Sequence, residues 1–112
     1  MATALNSTRR NSVTYCREEK IENYLVKRVE EEGGRAYKFT SPGRRFVPDR
    51  LLALPRKRFK EPLSLVECKA PTGRIHPGQA REHAFLWALG IRVRVVHTRD
   101  EVDEILRELR RG

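Results

Sequence analysis

The chain has 112 residues, which is enough for one compact domain and too few for two. Its formal net charge of +9 at pH 7 favours a negatively charged partner, and basic surfaces of this kind collect nucleic acid by releasing its counterions. Hydrophobic residues make up 38% of the chain, which supports a core, and no apolar run approaches the ~18 residues of a membrane helix.

The N-terminal residues 1–14 are predicted to form a flexible basic arm ahead of a folded domain over 15–112. The arm is polar, carries Arg9 and Arg10, and lacks the apolar stretch of a secretory signal. The expected location is therefore the cytoplasm of a bacterium or of a virus-infected host cell. Two cysteines, at positions 16 and 68, make no disulfide framework and lack the spacing and histidine partners of a zinc site.

The remaining chain predicts the element order α-β-β-β-α-β-α, a mixed α/β domain. Ile21, Leu25 and Val29 recur at helical spacing, and Gly33 with Gly34 ends that helix. The predicted elements are a helix over 15–32, strands over 35–40, 49–54 and 63–69, a helix over 77–89, a strand over 91–96 and a last helix that follows a capping box of Thr98 and Glu101. Four apolar residues of the last helix belong either to the core or to an interface: Val102, Ile105, Leu106 and Leu109.

Positive charge is concentrated between Arg35 and Lys60, where nine Lys and Arg residues accompany a single acid, Asp49. A carboxylate set in a phosphate-binding surface explains this pattern better than a solvated face that happens to be basic. The residues expected to hold backbone phosphates are Arg44, Arg45, Arg50, Arg56, Lys57 and Arg58.

The pair Pro48-Asp49 and the triplet Glu67-Cys68-Lys69 are the strongest chemical signal in the chain. Strand alternation places Glu67 and Lys69 on one face and Cys68 on the other, and a hairpin would bring Asp49 beside Glu67. Two carboxylates, a backbone carbonyl and waters make the oxygen-rich shell that magnesium prefers. Lys69 is placed to orient the attacking hydroxide or to stabilise charge on the phosphate. An ordinary Glu–Lys pair on an exposed strand is the alternative, which the basic surroundings disfavour.

Other polar residues extend this constellation. Glu18 and Glu22 stand one helical turn apart, and either of them is a candidate to face the metal. The alternative is that both lie on a solvated helix face with Lys20 and Lys27, and it holds for at least one of the two. Gln79, in the first turn of its helix, either bonds the nucleophile, the lysine or a phosphate, or is simply a first-turn polar residue. His83 is interpreted as a structural residue bordering the core. Trp87, with Phe85 and Leu86, is assigned to the core or to an interface in preference to a base-stacking platform.

Taken together, these residues resemble the VRR-NUC domain (virus-type replication-repair nuclease), a branch of the PD-(D/E)xK nuclease superfamily. The resemblance spans residues 17–109. Its markers are Arg17-Glu18, Ile21-Glu22, Gly33-Gly34, Lys38-Phe39, Ser41-Pro42-Gly43, Val47-Pro48-Asp49-Arg50, Val66-Glu67-Cys68-Lys69, Gln79 and Leu89-Gly90. The chain departs from the family at Phe46, where glycine is frequent, and at Cys68, where leucine is common.

The resemblance implies a restriction-endonuclease-like core, with a mixed sheet flanked by helices, and Mg2+- or Mn2+-dependent hydrolysis of phosphodiester bonds. The site residues that it implies are the metal ligands Asp49, Glu67, Glu18 and the backbone carbonyl of Cys68, the catalytic lysine Lys69 and the helix glutamine Gln79. Glu22 ranks second to Glu18 for the family's helix glutamate.

The short length is similar to that of stand-alone family members, which resemble dimeric resolvases of four-way (Holliday) junctions. A homodimeric, structure-selective DNA endonuclease acting in replication, recombination or repair is therefore the expectation. Two alternatives stand beside it. The first is the same chemistry on flaps, splayed arms or single strands, and the second is a nucleic-acid-binding protein without catalytic activity.

Overall fold

The computed structural model describes the backbone from Ala2 to Gly112 and the side chains from Arg17 onward. Within this part, three helices and four strands follow the predicted order α-β-β-β-α-β-α. Their bounds are α1 Ala2–Glu31, β1 Arg35–Lys38, β2 Arg50–Ala53, β3 Leu63–Cys68, α2 Pro77–Ala88, β4 Val93–Val96 and α3 Arg99–Leu109.

Helix α1 is longer than the helix predicted from apolar spacing. It begins at Ala2 because no proline or glycine interrupts residues 2–31, and it ends before Gly33, which adopts a left-handed φ of 86°. The backbone of the predicted arm therefore belongs to the same helix. The side chains that would test the arm's flexibility and its contacts lie outside the described residues, so the arm stays a prediction.

The four strands form one mixed sheet in the order β1-β2-β3-β4. Strand β2 pairs antiparallel with β1 and with β3, which confirms the predicted hairpin, whereas β3 and β4 run parallel and are connected through α2. In the hairpin, Arg50 lies opposite Val66. This register sets the position of every functional side chain at that end of the sheet, because a slip by one residue would turn each side chain to the other face.

Helices α1 and α3 cover one side of the sheet, which we call the closed face. Leu25 and Val29 of α1, Leu52 of β2 and Val66 of β3 are all fully buried there. The apolar residues of α3 belong to this core and not to an interface; they are Val102, Ile105, Leu106 and Leu109. A side chain of this size contributes about 1.5–3 kcal/mol when it is removed from water, so the closed face supplies most of the folding energy.

The predicted capping box at the start of α3 is present in altered form. Thr98 Oγ1 accepts a hydrogen bond from the backbone N–H of Glu101 at 3.1 Å, as expected. The Glu101 carboxylate, however, accepts from the N–H of His97 at 2.6 Å and not from the N–H of Thr98. The Glu101 side chain therefore bonds the backbone one residue earlier, at His97, than the sequence pattern predicted.

The other side of the sheet, covered by α2 alone, is what we call the open face. Within α2 only Gly78 is buried. The side chain of Trp87 is 66% exposed, so its expected place in the core is wrong, while its place in an interface stays a prediction. Further large apolar side chains of α2, β3 and the loop before β4 are exposed as well: Leu63, Phe85, Leu89 and Ile91.

Two further findings concern the length and hydropathy of the helices and the state of Cys68. None of the helices in the described residues is long and apolar enough to cross a membrane. Cys68 is a free thiol that is fully buried in the closed face, and this burial raises the pKa of its thiol. The side chain of Cys16 lies outside the described residues.

Candidate active site

Two carboxyl groups meet where β2 begins and β3 ends. The hairpin register that places Arg50 opposite Val66 brings the preceding Asp49 level with Glu67, as predicted. The backbone N–H of Cys68 donates a hydrogen bond to Asp49 Oδ2 at 2.8 Å, which fixes the aspartate against the neighbouring strand. The Cys68 side chain points into the closed face while Glu67 points to the open side, which confirms the predicted alternation.

The Glu67 carboxyl is held in a water-poor position beside other acids. Its side chain is 1% exposed. Burial, then a hydrogen bond with Asp49 and repulsion from the Asp49 charge, raise the pKa of Glu67 to about 9, while the nearby Lys69 cation opposes this shift. Among the described residues, Glu67 Oε1 has no hydrogen-bond partner. A buried carboxylate oxygen without a partner is costly, so the arrangement favours a cation at this point.

Two side chains of α2 reach the same carboxylate. Gln79 Nε2 donates a hydrogen bond to Glu67 Oε2 at 3.1 Å, and His83 Nε2 lies 3.7 Å from Glu67 Oε1. Gln79 and His83 stand four residues apart, so they share one face of the helix. Sequence reasoning treated His83 as a structural histidine, and this spacing from Gln79 was the signal that links it to the site.

The helix start fixes the orientation of Gln79. Its Oε1 accepts a hydrogen bond from the backbone N–H of His76 at 2.9 Å, while His76 Nδ1 accepts from the N–H of Gly78 at 2.9 Å. Because the side-chain oxygen is used by the helix start, the amide nitrogen is directed at Glu67. Gln79 is thus a first-turn polar residue that also contacts Glu67, whereas its predicted hydrogen bond to a nucleophile, the lysine or a phosphate stays a prediction.

Of the two helix glutamates, Glu18 faces the two carboxyls and Glu22 does not. The pKa of Glu18 is raised, chiefly by burial, with attraction to Lys69 opposing the shift and repulsion from Asp49 adding to it. Glu22 is instead paired with Arg50, whose Nη2 lies 2.7 Å from Glu22 Oε2. The geometry thus separates two residues that helical spacing alone could not separate.

No protein-family model matches the chain. A solved structure described as a VRR_NUC domain is 32% identical and superposes with a TM-score of 0.71, covering 81% of this chain and 95% of that one. A protein of Acyrthosiphon pisum secondary endosymbiont phage 1, named "Putative nuclease p44", is 54% identical over 84 residues, which are 75% of this chain and 86% of the relative. The chain belongs to the VRR-NUC family. Its fold is that of a nuclease domain.

In this VRR-NUC domain, one lysine is set among three acids. Lys69 lowers the pKa of both Glu67 and Glu18, which shows that its charge acts on both of them. Its backbone N–H donates to the carbonyl oxygen of Val96 at 2.9 Å, so β4 anchors the chain at this point. Among the side chains from Arg17 onward, no three His, Cys, Asp or Glu residues lie close enough together to hold a metal ion as they stand.

The basic residues predicted to hold phosphates fall into three places. Arg44 and Arg45 are exposed in the loop that leads to Asp49, on the active-site side. Arg81 of α2 lines the same cleft and was not anticipated. Arg50 is directed to the closed side, where its Nε donates to Glu22 at 2.9 Å and its Nη1 donates to a backbone carbonyl of β1. Its predicted phosphate contact would therefore compete with an existing ion pair.

The remaining three cations lie at the opposite end of the sheet from Asp49. Arg56, Lys57 and Arg58 occupy the turn after β2, and that strand begins next to Asp49. The carbonyl oxygen of Arg56 accepts from Arg111 Nε, and Arg58 donates to the carbonyl oxygen of Glu32. Their predicted DNA contacts remain predictions, but they concern a surface one strand length away from the carboxyls, about 13–17 Å.

Proposed function

We propose that this protein is a metal-dependent, structure-selective DNA endonuclease that hydrolyses phosphodiester bonds of branched DNA, such as four-way junctions, as a homodimer. The observation that carries the proposal is the meeting of Asp49 and Glu67 beside Lys69, at one end of a VRR-NUC sheet. The net charge of +9 and the exposed Arg44 and Arg45 support a nucleic-acid substrate.

The residues present are suited to Mg2+ or Mn2+. The unpartnered Oε1 of buried Glu67 and the raised pKa of this carboxyl indicate a position where a divalent cation would relieve both the missing contact and the repulsion. The donors are all oxygen atoms, which hard cations prefer, and would come from Asp49, Glu67, Glu18 and the backbone carbonyl of Cys68. When bound, such an ion supplies an acidified water and neutralises charge on the phosphate.

The chain's own residues have separate tasks in this proposal. Lys69 orients the attacking water and donates to the phosphate oxygen on which charge develops. Gln79 orients the Glu67 carboxyl through its hydrogen bond to Oε2, and the His83 imidazole lies 3.7 Å from Oε1. Contacts from arginine to backbone phosphates position the strand but do not read its sequence, which agrees with recognition of DNA shape.

The open face supports the homodimer. It contains a groove of about 680 Å³ whose lining is mainly apolar, with Leu51, Leu65, Leu86 and Ile91 among its residues. Exposed apolar surface of this extent marks interaction sites in proteins of this size. A second copy related by a two-fold axis would cover the groove and would place two active sites on one substrate. Four-way junctions offer two symmetric strands for such a pair of sites.

Cleavage of labelled duplex, flap, splayed-arm and four-way-junction DNA with Mg2+, Mn2+ or chelator tests the activity and its target together. We expect metal-dependent cutting that Lys69→Ala abolishes and that Lys27→Ala, an exposed control lysine on α1, retains. Paired symmetric cuts in the junction support the resolvase, and preferred cutting of flaps or splayed arms would redirect the substrate. Binding of every substrate without any cutting would overturn the nuclease and leave a binding protein.

Sedimentation equilibrium tests the dimer separately. Leu63→Arg places a charge at the groove, which the exposed Leu63 lines, and is expected to give a monomer, because an unpaired charge in an apolar interface is strongly unfavourable. Glu104→Lys, on the exposed side of α3, is the matched control and should leave the mass of a dimer unchanged. A wild-type protein that sediments as a monomer at the highest concentration measured would overturn the homodimer.

A further inference from the structure

A cleft next to the active site is not used by the proposed mechanism. It measures about 440 Å³, within the range of ~300–1,000 Å³ that is typical of ligand pockets. It lies between the loop before β2 and the first three turns of α2, and its lining is Gly43, Arg44, Arg45, Phe46, Gly78, Arg81, Glu82 and Phe85. Gly78 directly precedes Gln79, so the cleft and the carboxyl site share the start of α2.

One wall of the cleft is held in an unfavourable backbone conformation. Phe46 has a φ of 65°, which no other non-glycine residue in the described chain shares. Bulky side chains adopt this left-handed region only where the surrounding structure enforces it, and such positions cluster at ligand-binding sites. Glycine adopts the same φ without strain, so an aromatic residue at this position indicates a role for its ring.

The neighbours of Phe46 are arranged to seat its ring. The ring stacks on His76 with centroids 4.8 Å apart and planes inclined by 15°. A Cβ at Gly78 would lie 2.3 Å from Phe46 Cε2, so only glycine allows the ring to lie against this turn of α2. Phe46 nevertheless remains 36% exposed, and Phe85 on the same cleft is 58% exposed. The chain thus presents two aromatic rings to solvent at a fixed position.

The charge around these rings is positive. Arg44, Arg45 and Arg81 are exposed on the cleft, and the acid among its lining residues, Glu82, lies 3.4 Å from the guanidinium of Arg44. Two guanidinium groups therefore remain for an anion. Arginine binds phosphate with two parallel hydrogen bonds and stacks on aromatic rings, so the combination suits a ligand with both a phosphate and a flat ring.

We propose that this cleft binds one unpaired nucleotide of the DNA, with its base against Phe46 and Phe85 and its phosphate on Arg45 and Arg81. A base inside a duplex has both of its faces covered by its neighbours, whereas an unpaired base has a free face for stacking. The cleft would therefore favour a strand that leaves the duplex beside the cleaved bond, as in a flap or a splayed arm, or a base that is unpaired at the branch point of a junction. This inference deepens the proposed function and rests on DNA being the substrate.

Binding measured with chelator present tests the cleft without any cleavage. The probes are an oligothymidine, a duplex of equal length, and a splayed arm with 2-aminopurine at its first unpaired position. Stacking contributes about 1–3 kcal/mol per base, so Phe85→Leu should weaken single-strand binding about 5- to 150-fold and abolish the quenching of 2-aminopurine. Duplex binding should change less than about twofold. Tyr37→Leu, an exposed aromatic residue on β1, is the control.

Phe46→Gly is a second variant that tests the cleft if Phe85→Leu disturbs folding. Glycine suits a φ of 65°, so this variant should keep the thermal stability of the wild type and still lose single-strand affinity. Equal weakening of duplex and single-strand binding in these variants, or no weakening of either, would overturn the cleft. A protein that quenches 2-aminopurine through Phe85 yet cuts no DNA with metal would support the cleft and overturn the nuclease alone.

Discussion

The two faces of the sheet differ in almost every physical respect. The closed face, under α1 and α3, buries Leu25, Phe59 and Val66 completely. On the open face, helix α2 buries only one of its own residues, Gly78, and leaves Trp87 and Phe85 in water. The sheet therefore has a fully buried hydrophobic core on its closed face and exposed apolar side chains on its open face.

This difference assigns stability and function to different sides. A chain of 112 residues buries a modest share of its surface, and here it concentrates that burial on the closed face. On the open side, α2 directs its sheet-facing polar residues, Gln79 and His83, to Glu67 and contributes little to the core. Its outer surface is exposed, including Phe85 and Trp87.

The largest expected difference between the two faces is in the free energy of unfolding, when one phenylalanine of each face is truncated to alanine. Phe59→Ala removes a ring that is 0% exposed and should lower the free energy of unfolding by about 3–5 kcal/mol. Phe85→Ala, on the open face, should change it by less than about 1 kcal/mol because this ring makes few contacts to lose. Urea denaturation of the two variants checks this. Comparable losses would contradict the division between a closed and an open face.

A smaller effect is expected where the open face supports the active site. His83→Leu removes the imidazole whose Nε2 lies 3.7 Å from Glu67 Oε1 and should weaken Mn2+ binding about 10- to 100-fold, whereas His83→Gln keeps a polar N–H near this position and should restore most of it. Isothermal titration calorimetry measures both. The His97→Leu control changes a histidine beside Glu101, away from the site. If His83→Gln binds Mn2+ as weakly as His83→Leu, a polar group at this position does not support the Glu67 carboxyl.

A further effect concerns the pH dependence of stability. The pKa of Glu67 in the folded protein is raised from 4.5 to about 9, so below 4.5 the carboxyl is protonated in both states and folding carries no penalty. As pH rises between these values, the unfolded carboxyl ionises while the folded one resists, and stability falls by at most about 1.4 kcal/mol per pH unit for one proton. Metal-free Glu67→Gln should be less sensitive between about pH 5 and pH 8 than the wild type. Parallel urea midpoints for the two proteins would contradict the raised pKa.

The closed face could be predicted from sequence because its signals are local and periodic. Helical spacing of Leu25 and Val29, and of the apolar residues on α3, identified both covering helices, and strand alternation placed Cys68 and Glu67 on opposite faces of the sheet. The hairpin brought Asp49 beside Glu67 for the same reason. The predicted start of α1 is wrong, because the apolar spacing that identified this helix begins only at Ile21.

The open face could not be predicted in the same way. A Phe-Leu-Trp run in α2 is typical of buried sequence, and only the three-dimensional position shows that Trp87 faces solvent. The choice between Glu18 and Glu22 depended on Arg50, which lies on another element and captures Glu22. Likewise, clustering in sequence grouped Arg44 with Arg58, although a strand length separates the two ends of β2. Contacts that are distant in sequence decide each of these points.

The most direct test of the metal-dependent active site is single-turnover cleavage of a four-way junction by the wild type, Glu67→Gln and Lys69→Ala, each with Mn2+ and with chelator, alongside calorimetric Mn2+ binding. We predict that only the wild type cuts and only with the ion present, that Glu67→Gln loses both binding and cutting, and that Lys69→Ala still binds Mn2+ but does not cut. Cleavage by Glu67→Gln at the wild-type rate, or cleavage that persists in chelator, would contradict the account.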